Sequence, residues 1–318
     1  MDPAEKKASK VQLDPAVKMM TATLTKSTKK SGFGRIFLSG EERFFIPGKE
    51  RFGKDEDSGY TLRKRYTAII VHWFESRRNF MNITKEQLAQ MIDHTNLKAF
   101  SEDAAFKKLC EEANQYGFKA LAINGAQIER CKKYLGKSQV HIGVTVGFPL
   151  GQMTIESKVF ETRDAIEKGA HEIDYVLNVA ELKNGNTEYI EREMREITQA
   201  CHDSGVICKV IFENCYLTDE EKRTAAEISL KVLPDFIKTS TGFGTGGATV
   251  EDVRLMKSVV GDAVKVKAAG GIRDFETAAA MIEAGAERLG TSAGVELMKH
   301  FELQGQGILS GKAAERQS

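Results

Sequence analysis

The 318-residue sequence predicts an α/β fold, a (β/α)₈ TIM barrel preceded by a basic N-terminal extension. Three observations carry that expectation. Short β-branched runs alternate with amphipathic segments from Thr84 onward, the pattern of repeated βα units on a parallel sheet. Eight such runs fall within residues 81–318, close to the usual barrel length of about 250 residues. Charge and texture also change near residue 80. Residues 1–80 hold 17 Lys and Arg against 10 Asp and Glu, a net of +7, whereas 81–318 hold 29 against 35, a net of −6.

The division is therefore drawn between an N-terminal extension, 1–80, and a barrel, 81–318. Residues 1–31 are rich in Lys, Ser and Thr and poor in large apolar side chains, a composition that reads as disordered. Three apolar runs follow, Arg35 to Leu38, Arg43 to Ile46 and Tyr66 to Trp73, separated by Gly, Pro and charge clusters. They suit a small β-rich appendage or weak strands without a core of their own. Met81 stands where an original start would fit.

In the barrel, strands are expected at 91–95, 118–124, 140–147, 172–178, 207–213, 235–240, 263–268 and 287–291. Helices are expected at 101–116, 155–168, 187–204, 218–232, 249–260, 274–284 and 294–302. Thr218 followed by Glu221 reads as a capping box. Gly117, Gly169, Gly205 and Gly285 read as helix stops. A doubly wound open sheet is the structural rival, and the count of eight strands favours the barrel.

Composition narrows the function. Overall net charge is +1, so nothing recommends nucleic acid as a partner. The five cysteines (Cys110, Cys131, Cys201, Cys208, Cys215) form no CxxC pair and are odd in number, as expected of reduced thiols in a cytoplasmic protein. No apolar run reaches the ~18–20 residues of a membrane span. No His, Cys or carboxylate cluster in 81–318 has metal-ligand spacing, so neither metal nor cofactor is expected.

Polar groups at the carboxyl ends of barrel strands form the active site. The sixth strand runs Asp235-Phe-Ile-Lys238-Thr-Ser-Thr241-Gly242 and the seventh Val264-Lys-Val-Lys267-Ala-Ala-Gly270-Gly271. A lysine in such a strand is unusual, because an unpaired buried ammonium is costly. Lys238 and Lys267 lie one βα unit apart and can face one lumen, where each disfavours the other's charge. An amine left neutral near pH 7 attacks carbonyl carbon and forms an imine. Asp174, on the fourth strand, can hold the second lysine charged and move protons through a water. The competing reading is a structural Lys–Asp–Lys network closing the mouth.

Glycines end the last two strands, Gly270-Gly271 and Gly290-Thr291-Ser292. Loops there commonly cradle phosphate with backbone N–H groups and a helix N-terminus; tight βα turns are the alternative reason for them. Gly242-Phe-Gly244-Thr-Gly-Gly247 matches the spacing of a dinucleotide fingerprint. Its context does not fit, because the next strand ends in Lys267 where an acid should meet the ribose.

These stretches closely resemble the deoxyribose-phosphate aldolase family over residues 84 to about 302. The likeness rests on Ile92-Asp93-His94-Thr95, Glu172-Ile173-Asp174, Lys238-Thr-Ser-Thr-Gly-Phe, Lys267-Ala-Ala-Gly-Gly-Ile-Arg273 and Arg288-Leu-Gly-Thr-Ser292. It implies a metal-free class I aldolase that reversibly cleaves 2-deoxyribose 5-phosphate into acetaldehyde and glyceraldehyde 3-phosphate. Lys238 would be the Schiff-base lysine, Lys267 its charged neighbour and Asp174 the proton-relay acid. Gly242, Gly270, Gly271, Gly290 and Ser292 would form the phosphate cradle, with Asp93 and Thr241 on the substrate side. A first-strand cap and a buried threonine are the plainer readings of those last two. The partners implied are a sugar phosphate and small aldehydes, with no nucleic acid and no membrane, and with room for a homodimer.

Three departures stand out. Ala122 occupies a position where many members have cysteine, and Ala293 one where some have a second serine. The tail after Phe301 lacks the terminal tyrosine that assists proton transfer in some members, which bears on turnover rate and not on the reaction. Two rival functions stay open at this point. One is another imine-forming aldolase or transaldolase on a larger sugar phosphate. The other is a phosphate-sensing barrel whose partner-binding function lies in the basic first segment.

Overall fold

The computed structural model describes Gly34–Phe37, Arg43–Ile46 and residues 83–303. The chain parts into two compact units, Met1–Arg77 and Arg78–Ser318. In the first, β1 (Gly34–Phe37) and β2 (Arg43–Ile46) pair antiparallel, Gly34 opposite Ile46 and Phe37 opposite Arg43. These are two of the three apolar runs. The third, Tyr66 to Trp73, and the expectation of disorder over 1–31 lie outside the described residues.

The second unit is a closed eight-stranded parallel barrel. Its strands are β3 (Ile92–Thr95), β4 (Ala120–Asn124), β5 (His141–Val146), β6 (Glu172–Val176), β7 (Ile207–Ile211), β8 (Phe236–Lys238), β9 (Lys265–Ala269) and β10 (Arg288–Thr291). Each pairs with its sequence neighbours, and β10 closes onto β3 through Leu289 opposite Ile92. Side chains alternate about each strand. One set, including Ile92, Leu121, Ile142, Ile173, Val210, Ile237, Val266 and Leu289, is fully buried or nearly so in the apolar core. The other set points to the lumen and holds Asp93, Glu172, Asp174, Lys209, Lys238, Lys267 and Arg288, all buried.

Around the strands lie α1 (Lys85–Ala89), α2 (Asp103–Tyr116), α3 (Ile128–Leu135), α4 (Ile155–Glu167), α5 (Val179–Lys183), α6 (Thr187–His202), α7 (Asp219–Val232), α8 (Val250–Val260) and α9 (Phe275–Glu283). A tenth helix, α10, runs over 294–303. Threonine or aspartate caps start α1, α4, α7, α8 and α9, each accepting a backbone N–H of the first turn. The expected Thr218–Glu221 capping box is present, and the four glycines read as helix stops all take positive φ. Three helices had no counterpart in the sequence reading. α1 and α5 span five residues each, too few to show a period, and α3 begins without a side-chain cap.

A fully buried charged pair outside the lumen lies between α4 and α6. Lys158 Nζ donates to Val176 O at 2.7 Å and pairs with Glu193 Oε1 at 2.6 Å, while Glu193 Oε2 accepts the Asn178 N–H at 2.9 Å. The pair grips the exit of β6, two residues beyond Asp174. The preceding loop packs over the same exit at Gly151. There φ is +68° and a Cβ would stand 2.2 Å from Leu177 O. Gly151→Ala is therefore expected to destabilise the barrel by about 1–3 kcal/mol. Thermal unfolding would show this as a midpoint lowered by several degrees. An unchanged midpoint would mean that the loop gives way without cost.

Candidate active site

The lumen side chains converge on one carboxylate. Asp174 Oδ2 accepts from Lys238 Nζ and from Lys267 Nζ, both at 2.7 Å, and Oδ1 accepts from Lys209 Nζ at 2.5 Å. Strand register makes this possible. Asp174 lies opposite Lys209, and Lys238 opposite Lys267. Below them Lys209 pairs with Glu172 at 2.5 Å, and Arg288 bridges Asp93 at 2.7 Å and Glu172 at 3.1 Å. Lys267 also binds Asp93 Oδ2. Both Asp93 oxygens are thus occupied by cations, so this residue orients Lys267 and Arg288.

The network holds three acids (Asp93, Glu172, Asp174) and four bases (Lys209, Lys238, Lys267, Arg288). Burial opposes charge on each of them, and the pairs decide which charges survive. Burial alone would raise the Asp174 carboxyl. The ammonium groups of Lys209, Lys238 and Lys267 outweigh it and hold Asp174 well below the ordinary carboxylate range. Lys209 is likewise depressed by burial but raised overall by Asp174, Glu172 and Asp93. Lys238 goes the other way. Burial pushes it down, Asp174 only partly restores it, Lys267 and Lys209 push it down again, and it comes to about 8. At pH 7 about one Lys238 in ten is then the free amine. This side chain, with 3% of its surface exposed, is the one base that the acids do not balance.

Glycines line the strand ends beside it. Gly242, Gly270 and Gly271 all take left-handed backbone. A Cβ on Gly270 would stand 3.1 Å from the Gly247 Cα and 3.4 Å from the Gly242 Cα, so the loops after β8 and β9 touch backbone to backbone. Thr291 Oγ1 donates to Ile272 O at 2.7 Å, tying the loop after β10 to that after β9. Among the described residues nothing accepts from the N–H groups of Gly242, Gly271 or Ser292. These are the donors an anion needs. Gly290 makes room for the Lys267 stem, whose Cε lies 3.3 Å from the position of an added Cβ. The Ala293 N–H donates to Thr291 Oγ1 at 2.9 Å. Thr241 is buried, with its hydroxyl donated to Glu213.

Residues 87–315 match the DeoC/LacD family aldolase. The deoxyribose-phosphate aldolase of Lactobacillus acidophilus is 57% identical over 217 residues, covering 68% of this chain and 92% of that protein. That of Bacteroides thetaiotaomicron is 53% identical over 227 residues, covering 71% and 95%. The chain belongs to the DeoC/LacD aldolase family. Among solved structures, a putative deoxyribose-phosphate aldolase from Coccidioides immitis superposes with a TM-score of 0.66 at 36% identity, covering 69% of this chain and 87% of the other. The Aeropyrum pernix deoxyribose phosphate aldolase, described as a unique tetramer, gives 0.65 at 30%, covering 69% and 92%.

This member of the family brings together Lys238, Lys267, Asp174 and Asp93, as the sequence reading expected, with Gly242 and Gly270 touching nearby. Four residues of the site region were not foreseen in it: Lys209, Glu172, Arg288 and Glu213. The first three carry the same signal as Lys238, a charge inside an apolar strand, and could have been found by applying that test to every strand. Glu213 carried it as well, as the last residue of the expected strand 207–213, although β7 itself ends at Ile211.

Lys267→Leu removes a positive charge that helps keep Lys238 low. The Lys238 pKa is then expected to rise, so imine capture by borohydride should fall most at neutral pH and recover as pH increases. In the unaltered chain the capture rate should climb through about pH 8 and level off above it. A capture rate flat with pH, or a Lys267→Leu deficit constant across pH, would overturn this electrostatic account.

Proposed function

We propose that this chain is a class I aldolase that reversibly cleaves 2-deoxy-D-ribose 5-phosphate into acetaldehyde and D-glyceraldehyde 3-phosphate through a Schiff base on Lys238. The observation that carries the reading is the Lys238 amine, lowered to about 8 and held 2.7 Å from Asp174 beside Lys267, next to a set of glycine loops with free N–H groups.

The neutral Lys238 amine attacks C1 of the open-chain sugar, and loss of water gives an iminium. A base then takes the C3 hydroxyl proton, the C2–C3 bond breaks, and its electron pair enters the iminium as an enamine. Glyceraldehyde 3-phosphate leaves with C3 as its new aldehyde. Protonation at C2 and addition of water release acetaldehyde and restore the amine. Asp174, through a water, suits the proton transfers, because its carboxylate already joins Lys238 to Lys267. Lys267 stays paired with Asp93 and Asp174 and supplies positive charge beside the developing carbinolamine oxygen. Gly242, Gly270, Gly271, Gly290 and Ser292 form the cradle that receives the 5-phosphate, Thr241 shapes the substrate side, and Asp93 acts on that side through Lys267 and Arg288.

The iminium is itself the electron sink for this cleavage, so activity is expected to withstand EDTA. Among the described residues no group of three or more His, Cys, Asp or Glu could hold a metal ion. The five cysteines are free, which supports a reducing, cytoplasmic setting, and no described helix is long and apolar enough to cross a membrane. A homodimer is part of the same reading.

The test is borohydride trapping with acetaldehyde, followed by peptide mass analysis. Mass gain on Lys238 and release of both aldehydes from the deoxy sugar phosphate are the expected results. Mass gain on Lys267 or Lys209 would reassign the nucleophile, and loss of activity on chelation would overturn the metal-free mechanism. A chain starting at Met81 holds all eight barrel strands and every residue named above, and should keep most of the activity. An inactive or insoluble product would show that residues 1–80 complete the core or the site.

A further inference from the structure

Glu213, just beyond β7, stands apart from the other buried acids. Asp93, Glu172, Asp174, Glu193 and Asp252 each pair with a lysine or arginine. Glu213 is 3% exposed and, among the described residues, forms no salt bridge. Its backbone is left-handed at φ 57°, ψ 60°, a conformation that costs a non-glycine residue about 1 kcal/mol or more and clusters at functional sites. An uncompensated carboxylate on a strained backbone is doubly unfavourable, so its contacts need a reason.

All of the contacts of the carboxylate run to the mouth of the barrel. Glu213 Oε2 accepts the Thr241 hydroxyl proton, and Oε1 accepts the Thr241 N–H at 3.2 Å and the Cys215 thiol at 3.8 Å. Thr241 Oγ1 in turn accepts the Phe243 N–H at 3.0 Å. The loop is pressed onto the carboxylate at Gly244, where a Cβ would lie 3.1 Å from Glu213 Cδ and 2.7 Å from Cys215 Sγ. Phe243, 54% exposed, then meets Phe148 edge to face with ring centroids 5.3 Å apart. Phe148 follows β5 and Phe243 follows β8, with β6 and β7 between them in the barrel. The two rings therefore reach towards each other across the carboxyl ends of the strands that carry Asp174 and Lys209.

We propose that Glu213 is a positioning residue for the aldol cleavage, fixing the Thr241 hydroxyl and the Phe148–Phe243 aromatic wall beside the imine. The proposal rests on the aldolase reading and deepens it. Glu213 acts through Thr241. By accepting both the hydroxyl and the N–H of one residue, it sets the turn that follows the Schiff-base strand and thereby the wall of the pocket in which the C2–C3 bond breaks. A carboxylate solvated by short neutral donors holds this turn without adding a cation next to Lys238, where a further positive charge would disturb the amine.

The experiment compares Glu213→Gln, Thr241→Val, Thr241→Ser and the Glu213→Gln/Thr241→Val double variant in the full chain. Cleavage of 2-deoxyribose 5-phosphate is measured alongside borohydride trapping of acetaldehyde. The expected result is a kcat/KM lowered by about 10–100-fold in Glu213→Gln and Thr241→Val, with the double variant no worse than the weaker single. Thr241→Ser, which keeps the hydroxyl, should restore most of what Thr241→Val loses. Trapping on Lys238 should keep its rate and its rise through about pH 8, because the partners of Lys238 are untouched. A merely structural role predicts otherwise: trapping and cleavage would fall in the same proportion. That pattern, or full cleavage activity in Glu213→Gln, would overturn the proposal. If Glu213→Gln does not fold, the contrast between Thr241→Val and Thr241→Ser decides it, equal losses counting against. Absence of cleavage in the unaltered chain would instead refute the aldolase reading.

Discussion

The barrel is organised around the Asp174 carboxylate, shared by the ammonium groups of three lysines at 2.5–2.7 Å. Stacking three like charges about one acid inside a protein would be prohibitive without Asp93 and Glu172 beneath it. With them, three carboxylates face four bases, and one proton is held less tightly than the rest. Geometry decides that it is the one on Lys238. Lys209 touches Asp174 and Glu172, and Lys267 touches Asp174 and Asp93, whereas Lys238 has Asp174 alone. The nucleophile is the base with the fewest acids, and its low pKa is a property of the whole lumen as well as of its nearest neighbour.

That arrangement needs the strands fixed in register and β6 fixed at its exit. Register sets Asp174 beside Lys209 and Lys238 beside Lys267. The Lys158–Glu193 pair holds the backbone at Val176 and Asn178 from outside. Burial raises the Glu193 carboxyl and lowers the Lys158 ammonium, each against the pull of the other. A pair under that tension adds little to stability beside a well-packed apolar pair of similar size. What it does supply is direction: two hydrogen bonds to fixed points of one strand end.

Much of this was legible in the sequence because the period of a strand is so short. A lysine at Lys238 and another at Lys267 break apolar runs at positions of like parity, and the barrel order then brings them together. All eight strands fell where the β-branched runs predicted, with ends shifted by a few residues where capping and loop contacts decide them. The helices α1, α3 and α5 were lost because five to eight residues, uncapped in the case of α3, carry too little period to stand out. Lys209 was readable and passed over. Glu213, at the end of the expected strand 207–213, was passed over too, but its left-handed backbone and its partner 28 residues away were not readable. Neither leaves a mark in local composition. The roles given to Asp93 and Thr241 depended on resemblance, and the structure ties both to neighbouring protein groups, Asp93 to Lys267 and Arg288, Thr241 to Glu213.

The mouth then divides by chemistry in a way that orients a substrate. At the ends of β8, β9 and β10 stand the N–H groups of Gly242, Gly271 and Ser292, which nothing among the described residues accepts, suited to an anion. Across β5 to β8 stand Phe148 and Phe243, suited to carbon and to the exclusion of water. Lys238 sits at the boundary, on β8. On the proposed reading, a linear molecule with an aldehyde at one end and a phosphate at the other satisfies both regions only in one direction, aldehyde to Lys238 and phosphate towards β10. Reversing it would place an anion against aromatic rings and a carbonyl out of reach of the amine. Hydrolysis of the iminium needs one water at a chosen moment and is premature at any other, so an apolar wall beside the imine and a polar cradle away from it serve the same end. The strain held at Glu213 fits this division. From the end of β7 Glu213 braces the turn after β8, which carries Thr241 and Phe243 within three residues of chain.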